Sequence, residues 1–309
     1  MYTDIVREDN CLGKYVIVTD ATADLGQSIV DEYDIRVIPM NFSFWGKEYT
    51  HYPDERELSL NEFYEGLDKG AEVSTSQITP QMYHDFLEPL LREGLDVLYI
   101  CFTSGLSGTY NNSVIAFEDL KEKYPDRRMV TIDSLCASIG EGLLVYLAAK
   151  MKKNGAGFDE VAEFVEKTKG SVCHWFMVKD LNQLKKGGRI SPLAAALGTT
   201  LGIIPVISTD REGKLTVITK VHGLKKSLAY LADRVSKDAY SDFEYKDCLG
   251  TAFIAHGHCI EYAEILKELV LATGMVSEVI IWQVGTVIGS HVGSGMCAVT
   301  FVGENYKDL

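Results

Sequence analysis

The segment Asp96-Val97-Leu98-Tyr99-Ile100-Cys101-Phe102 is short, apolar and rich in strand formers. It runs directly into Thr103-Ser104-Gly105-Leu106-Ser107-Gly108-Thr109-Tyr110. A stretch with Val114, Ile115, Phe117 and Leu120 at helical spacing follows. A strand, a hydroxyl-rich turn and a helix in that order belong to an open α/β sheet, which gathers ligands beyond the carboxyl ends of its strands. The turn offers free backbone N–H groups, side-chain hydroxyls and the positive end of a helix dipole. None of its side chains ionises readily, so it suits holding an anion better than attacking a bond.

The same rhythm fills the first half of the chain. Tyr15 to Thr19 reads as a buried strand, followed by the polar turn Asp20-Ala21-Thr22-Ala23-Asp24 and a short helix to about Tyr33. Strands are expected at Ile35 to Pro39, Asn41 to Trp45 and Met129 to Ile132. Ser59-Leu60-Asn61-Glu62 is a capping box that opens a helix ending near Gly70. Thr79 as cap with Pro80 behind it opens another. Ahead of that cap, Thr75, Ser76 and Gln77 read as a polar loop. Helices follow over Ser138 to Lys153 and Phe158 to Lys169. The alternation predicts a layered, largely parallel α/β unit over residues 14–170.

Beyond residue 170 the order changes. Strands are expected at Ser171 to Val178 and Leu249 to Ala255, and a hairpin at Ile203 to Val221 around Asp210-Arg211-Glu212-Gly213. Pro192 to Leu201 reads as a small-residue helix, with further helices at Leu224 to Ala239 and Cys259 to Thr273. A strand at Val276 to Val284, a glycine-rich loop from Gly285 to Gly295 and a last strand to Val302 complete an α+β unit over residues 171–303.

A net charge of -14 over 309 residues makes nucleic acid and anionic membrane surfaces poor partners. Residues 1–11 show no signal-peptide pattern, and no apolar run approaches a membrane span. The seven cysteines are scattered without a C-x-x-C, as free thiols are in a reduced cytoplasmic protein. His256-Gly257-His258-Cys259 lacks further ligands at zinc spacing, so no metal or cofactor is expected. His256 reads instead as a single histidine near the site mouth. Lys185-Lys186-Gly187-Gly188-Arg189 is a basic turn, either a solvated loop or a seat for a phosphate or an acidic partner. Helix capping accounts for any one serine of the two hydroxyl loops; both loops together favour an anion site. A serine nucleophile at Ser107 is the rival, although Thr109 breaks the G-x-S-x-G pattern. A binder of another small anion, such as a phosphorylated metabolite, is the third reading.

In sequence order, Thr19-Asp20-Ala21-Thr22-Ala23-Asp24-Leu25, Thr75-Ser76-Gln77, Ser104 to Tyr110, Asp133-Ser134, Leu184 to Ser191 and Gly289 to Gly293 resemble the motifs of the DegV family of bacterial fatty-acid-binding proteins. The resemblance spans Tyr15 to Val302. It implies two domains with a long-chain fatty acid between them and no chemistry of the chain's own. The carboxylate would be held by Thr75 and Ser107 first, then by Ser76, Ser104 and the Gly108 N–H. It further implies a separate fatty acid kinase that makes an acyl phosphate for phospholipid synthesis, with Arg189 and His291 near the phosphoryl group or the kinase. Ala21 stands where the family has serine, and His222 where it often has arginine. Small and apolar residues within Leu193 to Ile207 are candidates for the tunnel lining.

Overall fold

A computed structural model describes residues 14–179, 181–191, 202–242, 244–246 and 249–304. The expected helix at Pro192 to Leu201, and with it much of the expected tunnel segment, lies outside the described residues. Four parallel strands form the first sheet: β1 (Tyr15–Asp20), β2 (Ile35–Ile38), β6 (Asp96–Cys101) and β7 (Met129–Asp133), in the order β2-β1-β6-β7. The chain leaves β1 in one direction to reach β2 and returns on its other side as β6. The crevice between the ends of β1 and β6 is therefore a topological switch point, the usual place for a ligand.

A small antiparallel sheet joins β3 (Met40–Phe44), β4 (Lys47–His51) and β5 (Val73–Thr75). Two of its strands differ from the sequence expectation. Polar β4 carries little apolar signal, and β5 exists because Thr75 pairs with Phe42. Thr75 thus ends a strand and is not in a free loop. The cap positions fall where the local signals put them. Ser59 accepts from the Glu62 N–H to start α2 (Leu60–Asp68), after the short α1 (Gln27–Glu32). Thr79 accepts from the Met82 N–H to start α3 (Pro80–Arg92). α4 (Thr109–Lys123) then follows the hydroxyl turn.

The second sheet has six strands: β8 (Val172–Met177), β9 (Ile203–Thr209), β10 (Leu215–His222), β11 (Thr251–His256), β12 (Glu278–Gln283) and β13 (Cys297–Val302). Their order is β10-β9-β8-β13-β11-β12, antiparallel except for the pair β11–β12. α8 (Leu224–Asp238) and α9 (Ile260–Leu271) cover one face with their apolar stripes.

α5 (Ile139–Lys153) lies between the two sheets. It touches β1 and β6 of the first and β8, β11 and β13 of the second. Every residue from Ile139 to Ala149 is buried, as befits a helix apolar all round. Gly140 and Gly142 permit the fit, because a Cβ would strike the His174 ring at one and the Ala23 carbonyl at the other. α6 (Phe158–Thr168) packs against α5, and α7 (Asn182–Lys186) carries the basic turn. One apolar cluster takes residues from both halves of the chain, including Leu98, Leu144, Phe253 and Ala298.

The glycine-rich tail is a helix where the sequence suggests a loop: α10 (Thr286–Val292). Gly289 sits on its packed face, where a Cβ would meet the rings of Phe63 and Tyr64. The glycine there serves close packing and does not mark a turn. Cys101, Cys136, Cys173, Cys259 and Cys297 are buried thiols outside any disulfide. Among the described residues no helix is long and apolar enough to cross a membrane.

Candidate functional site

At the switch point lies a cavity of about 320 Å³, within the range of small-molecule sites. Its apolar walls come from Met40, Phe102, Leu106, Phe176, Leu184 and Leu215, from Val287, Ile288 and Val292 of α10, and from Met296 and Ala298. Two groups of polar side chains break this lining.

The first group contains Thr75, Ser76, Gln77, Ser107, Thr109, Arg189 and His291. The Thr75 hydroxyl and His291 Nε2 are 2.9 Å apart. Ser107 Oγ lies 2.9 Å from Thr109 Oγ1 and accepts the Thr109 N–H at 3.2 Å. Asn112 of α4 donates to the Ile78 carbonyl at 2.8 Å, which ties the two hydroxyl loops together. Burial and the nearby Arg189 guanidinium push His291 down to about 4, so the ring is neutral at pH 7. Arg189 donates to the Gly187 carbonyl and has no carboxylate partner among the described residues. Thr75, Arg189 and His291 also line a second, polar cavity of about 750 Å³, with Lys186, Gln183 and Ser290. These three residues form a partition between a greasy chamber and a wet one.

The second group contains Thr22, Ser138, His174, Thr209 and Thr300. Its members are already engaged. The Ala137 N–H donates to His174 Nε2, Thr300 donates to the Ile139 carbonyl, and Ser138 donates to Asp24 at 2.5 Å. Behind them lie three buried carboxyls. Asp20 accepts from the Thr22 N–H and hydroxyl, the Tyr99 hydroxyl at 2.8 Å and the Phe102 N–H. Glu141 reaches the hydroxyls of Thr19 at 2.9 Å and Thr22 at 3.0 Å. Each of those hydroxyls has a single proton, and each also has a competing acceptor, the Ile100 carbonyl or Asp20. Burial pushes Glu141 well above the usual carboxyl range. Burial also raises Asp20 against its four donors, and pushes Asp24 up to about 7.

The residues expected at the site divide accordingly. Thr75, Ser76, Ser107, Arg189 and His291 line the same cavity. Ser104, Gly108 and His256 do not. Ser104 is exposed and its N–H caps Asp133 at 3.1 Å, while Gly108 lies under the Gln77 side chain at the start of α4. His256 turns instead to its own loop, where Nδ1 accepts the Cys259 N–H. The polar turn after β1 hinted at Thr22 and Asp24. Ser138, His174 and Glu141 gave no local signal. Among the described residues, no group of three or more His, Cys, Asp or Glu is placed to hold a metal ion.

The sheet arrangement and its chamber define the class: an α/β protein with a ligand-sized internal cavity at the switch point. The family model for uncharacterised proteins of the DegV family matches residues 14–304. A DegV domain-containing protein of Clostridium perfringens is 42% identical over 94% of this chain and 98% of its own. The chain belongs to the DegV family. Among solved structures, a fatty-acid-binding DegV family protein of Streptococcus agalactiae is 30% identical, with a TM-score of 0.80 over 95% of this chain and all of its own (100%). A stearic-acid-binding protein of Eubacterium ventriosum is 26% identical, with a TM-score of 0.81 over 96% of this chain and 100% of its own.

Proposed function

We propose that this protein binds a long-chain fatty acid in the apolar chamber, with its carboxylate against Thr75, Ser107 and Arg189. The observation that carries the reading is the partition itself. At one end of a largely apolar cavity stand a set of hydroxyls and a guanidinium with no carboxylate partner among the described residues, in a family with solved relatives described as binding fatty acids. Burying about 15 methylenes is worth roughly 12 kcal/mol before the costs of association. A carboxylate must not enter bare, and hydrogen bonds to a charged group return about 1.5–3 kcal/mol each. A neutral His291 that donates Nε2–H to Thr75 leaves the Thr75 hydroxyl proton for the ligand. Ser76 supplies a further hydroxyl at the same end of the chamber.

The bound acid is then presented to a separate fatty acid kinase through the polar cavity, and the protein itself makes and breaks no bond. Two features support this. Thr75 and Arg189 of the proposed seat line both cavities, and Ser107 hydrogen-bonds Thr109, with no histidine at its hydroxyl among the described residues, as a nucleophile would need. The test is mass spectrometry of a denatured extract of the recombinant protein. A fatty acid in near-stoichiometric amount is expected. Protein that carries no lipid and takes up no added oleate would refute the reading. The kinase role is tested by acyl phosphate formation from the loaded protein, ATP and a fatty acid kinase.

A further inference from the structure

Asp24 joins three segments that wall the chamber. It ends the 3-10 turn Ala21–Ala23, next to Thr22, in a left-handed conformation with φ of 51°. Its Oδ2 accepts from Ser138, which precedes α5, and its Oδ1 accepts from the Gly285 N–H at 2.9 Å, which precedes α10. α10 carries Val287, Ile288, Val292 and His291 to the cavity. Gly285 has to be glycine, since a Cβ would collide with both His51 and Asp24. The carboxyl is buried, with 7% of the residue exposed, and no cation is among the groups that act on it.

The titratable groups facing it are Asp20 on β1, Glu141 on α5, Tyr64 on α2, His51 on β4 and, farther along α10, His291. Burial pushes Glu141 well above the usual carboxyl range and raises Asp20 against its four donors. His51 is pushed down to about 4 by burial and Tyr64 is pushed well up, so neither titrates near neutrality. Asp24, at about 7, is the member poised to change. It also has a route to solvent. A separate cavity of about 370 Å³ is lined by Asp24, His51 and the exposed Glu55.

We propose that Asp24 is a positioning residue of the lipid chamber and that it takes up a proton from solvent when an acyl chain fills that chamber. Ser138, its hydrogen-bond partner, is part of the chamber lining. Hydrocarbon filling the chamber beside Ser138 lowers the polarity around the Asp24–Ser138 pair, which disfavours a charge on Asp24. The proton settles on the Asp24 carboxyl. Oδ1 goes on accepting from Gly285, so α10 stays seated.

This inference rests on the fatty-acid reading, and one experiment separates the two. Delipidated full-length protein is titrated calorimetrically with oleate in buffers of different ionisation enthalpy, from pH 6 to pH 8.5. The expected result is an uptake of roughly 0.4 proton per oleate, largest near pH 7. Asp24→Asn, which keeps the shape and both hydrogen-bond positions, is expected to take up none. Ser138→Ala removes a donor from the charged form and is expected to move the maximum to higher pH. Absence of any binding heat would sink the fatty-acid reading. Binding without proton uptake, uptake that survives in Asp24→Asn, or a maximum unmoved in Ser138→Ala would sink the role of Asp24 alone.

Discussion

The two polar ends of the chamber are built from opposite materials. At one end Arg189, Thr75 and Ser107 offer a cation and hydroxyls, and no carboxylate pairs with Arg189 among the described residues. At the other, Asp20, Asp24 and Glu141 offer three carboxyls with no cation among the groups that shift them. Under the fatty-acid proposal, this asymmetry sets the carboxylate at the first end and the tail toward the second. The hydroxyls of the second end are also spent on internal acceptors, and they turn little polarity toward a hydrocarbon tail.

Reversing the sign at the first end is the severest challenge to this contrast. Arg189→Glu places like charges together, which costs several kcal/mol, and oleate affinity is expected to fall on the order of a thousandfold in a direct binding titration. Neutralising the second end works on the fold instead. Between about pH 4 and 7 the folded chain keeps a proton on Asp24 that the unfolded chain has lost, so stability falls as pH rises through that window and stays lowered above it. Asp24→Asn is expected to raise stability at pH 8 by up to about 4 kcal/mol, and by little at pH 4, in paired denaturant melts.

Thr75→Val removes one donor to the carboxylate and should cost about 1.5–3 kcal/mol of oleate binding, with the melting temperature almost unchanged. Thr22→Val is not the equivalent change, since it strips a hydroxyl from the buried acids and should show in the melt. The smallest effect is expected at His291. Its folded value is depressed, so the unfolded chain takes the proton first as pH falls from 6.5 toward 4, and stability drops across that window. His291→Asn should remove about 1 kcal/mol of that acid-side loss, allowing for partial exposure, in melts at pH 7 and pH 4.5.

The sequence made local features plain and non-local ones obscure. Ser59 and Thr79-Pro80 declare helix starts because capping is settled within four residues. β5 is a strand only through its partner β3, and nothing within Val73 to Thr75 says so. Gly289 looks like a turn glycine until the rings of α2 are set against it. At the site, Thr75 and Ser107 could be picked from two hydroxyl loops and Arg189 from a basic turn, while His291 came from the family pattern. Ser104 and Ser107 share one turn and differ only in which way the backbone faces them. Glu141 could not be found at all, because a glutamate in a helix normally marks a solvent face, and here α5 has none.

That last point reaches beyond the site. A rod enclosed on every flank cannot be owned by one sheet, and severing the chain near residue 170 would strip α5 of β8, β11 and β13. Neither fragment could conceal what the other had covered, so each would clump instead of folding. With that helix shared between the two sheets, the molecule is expected to melt in a single step.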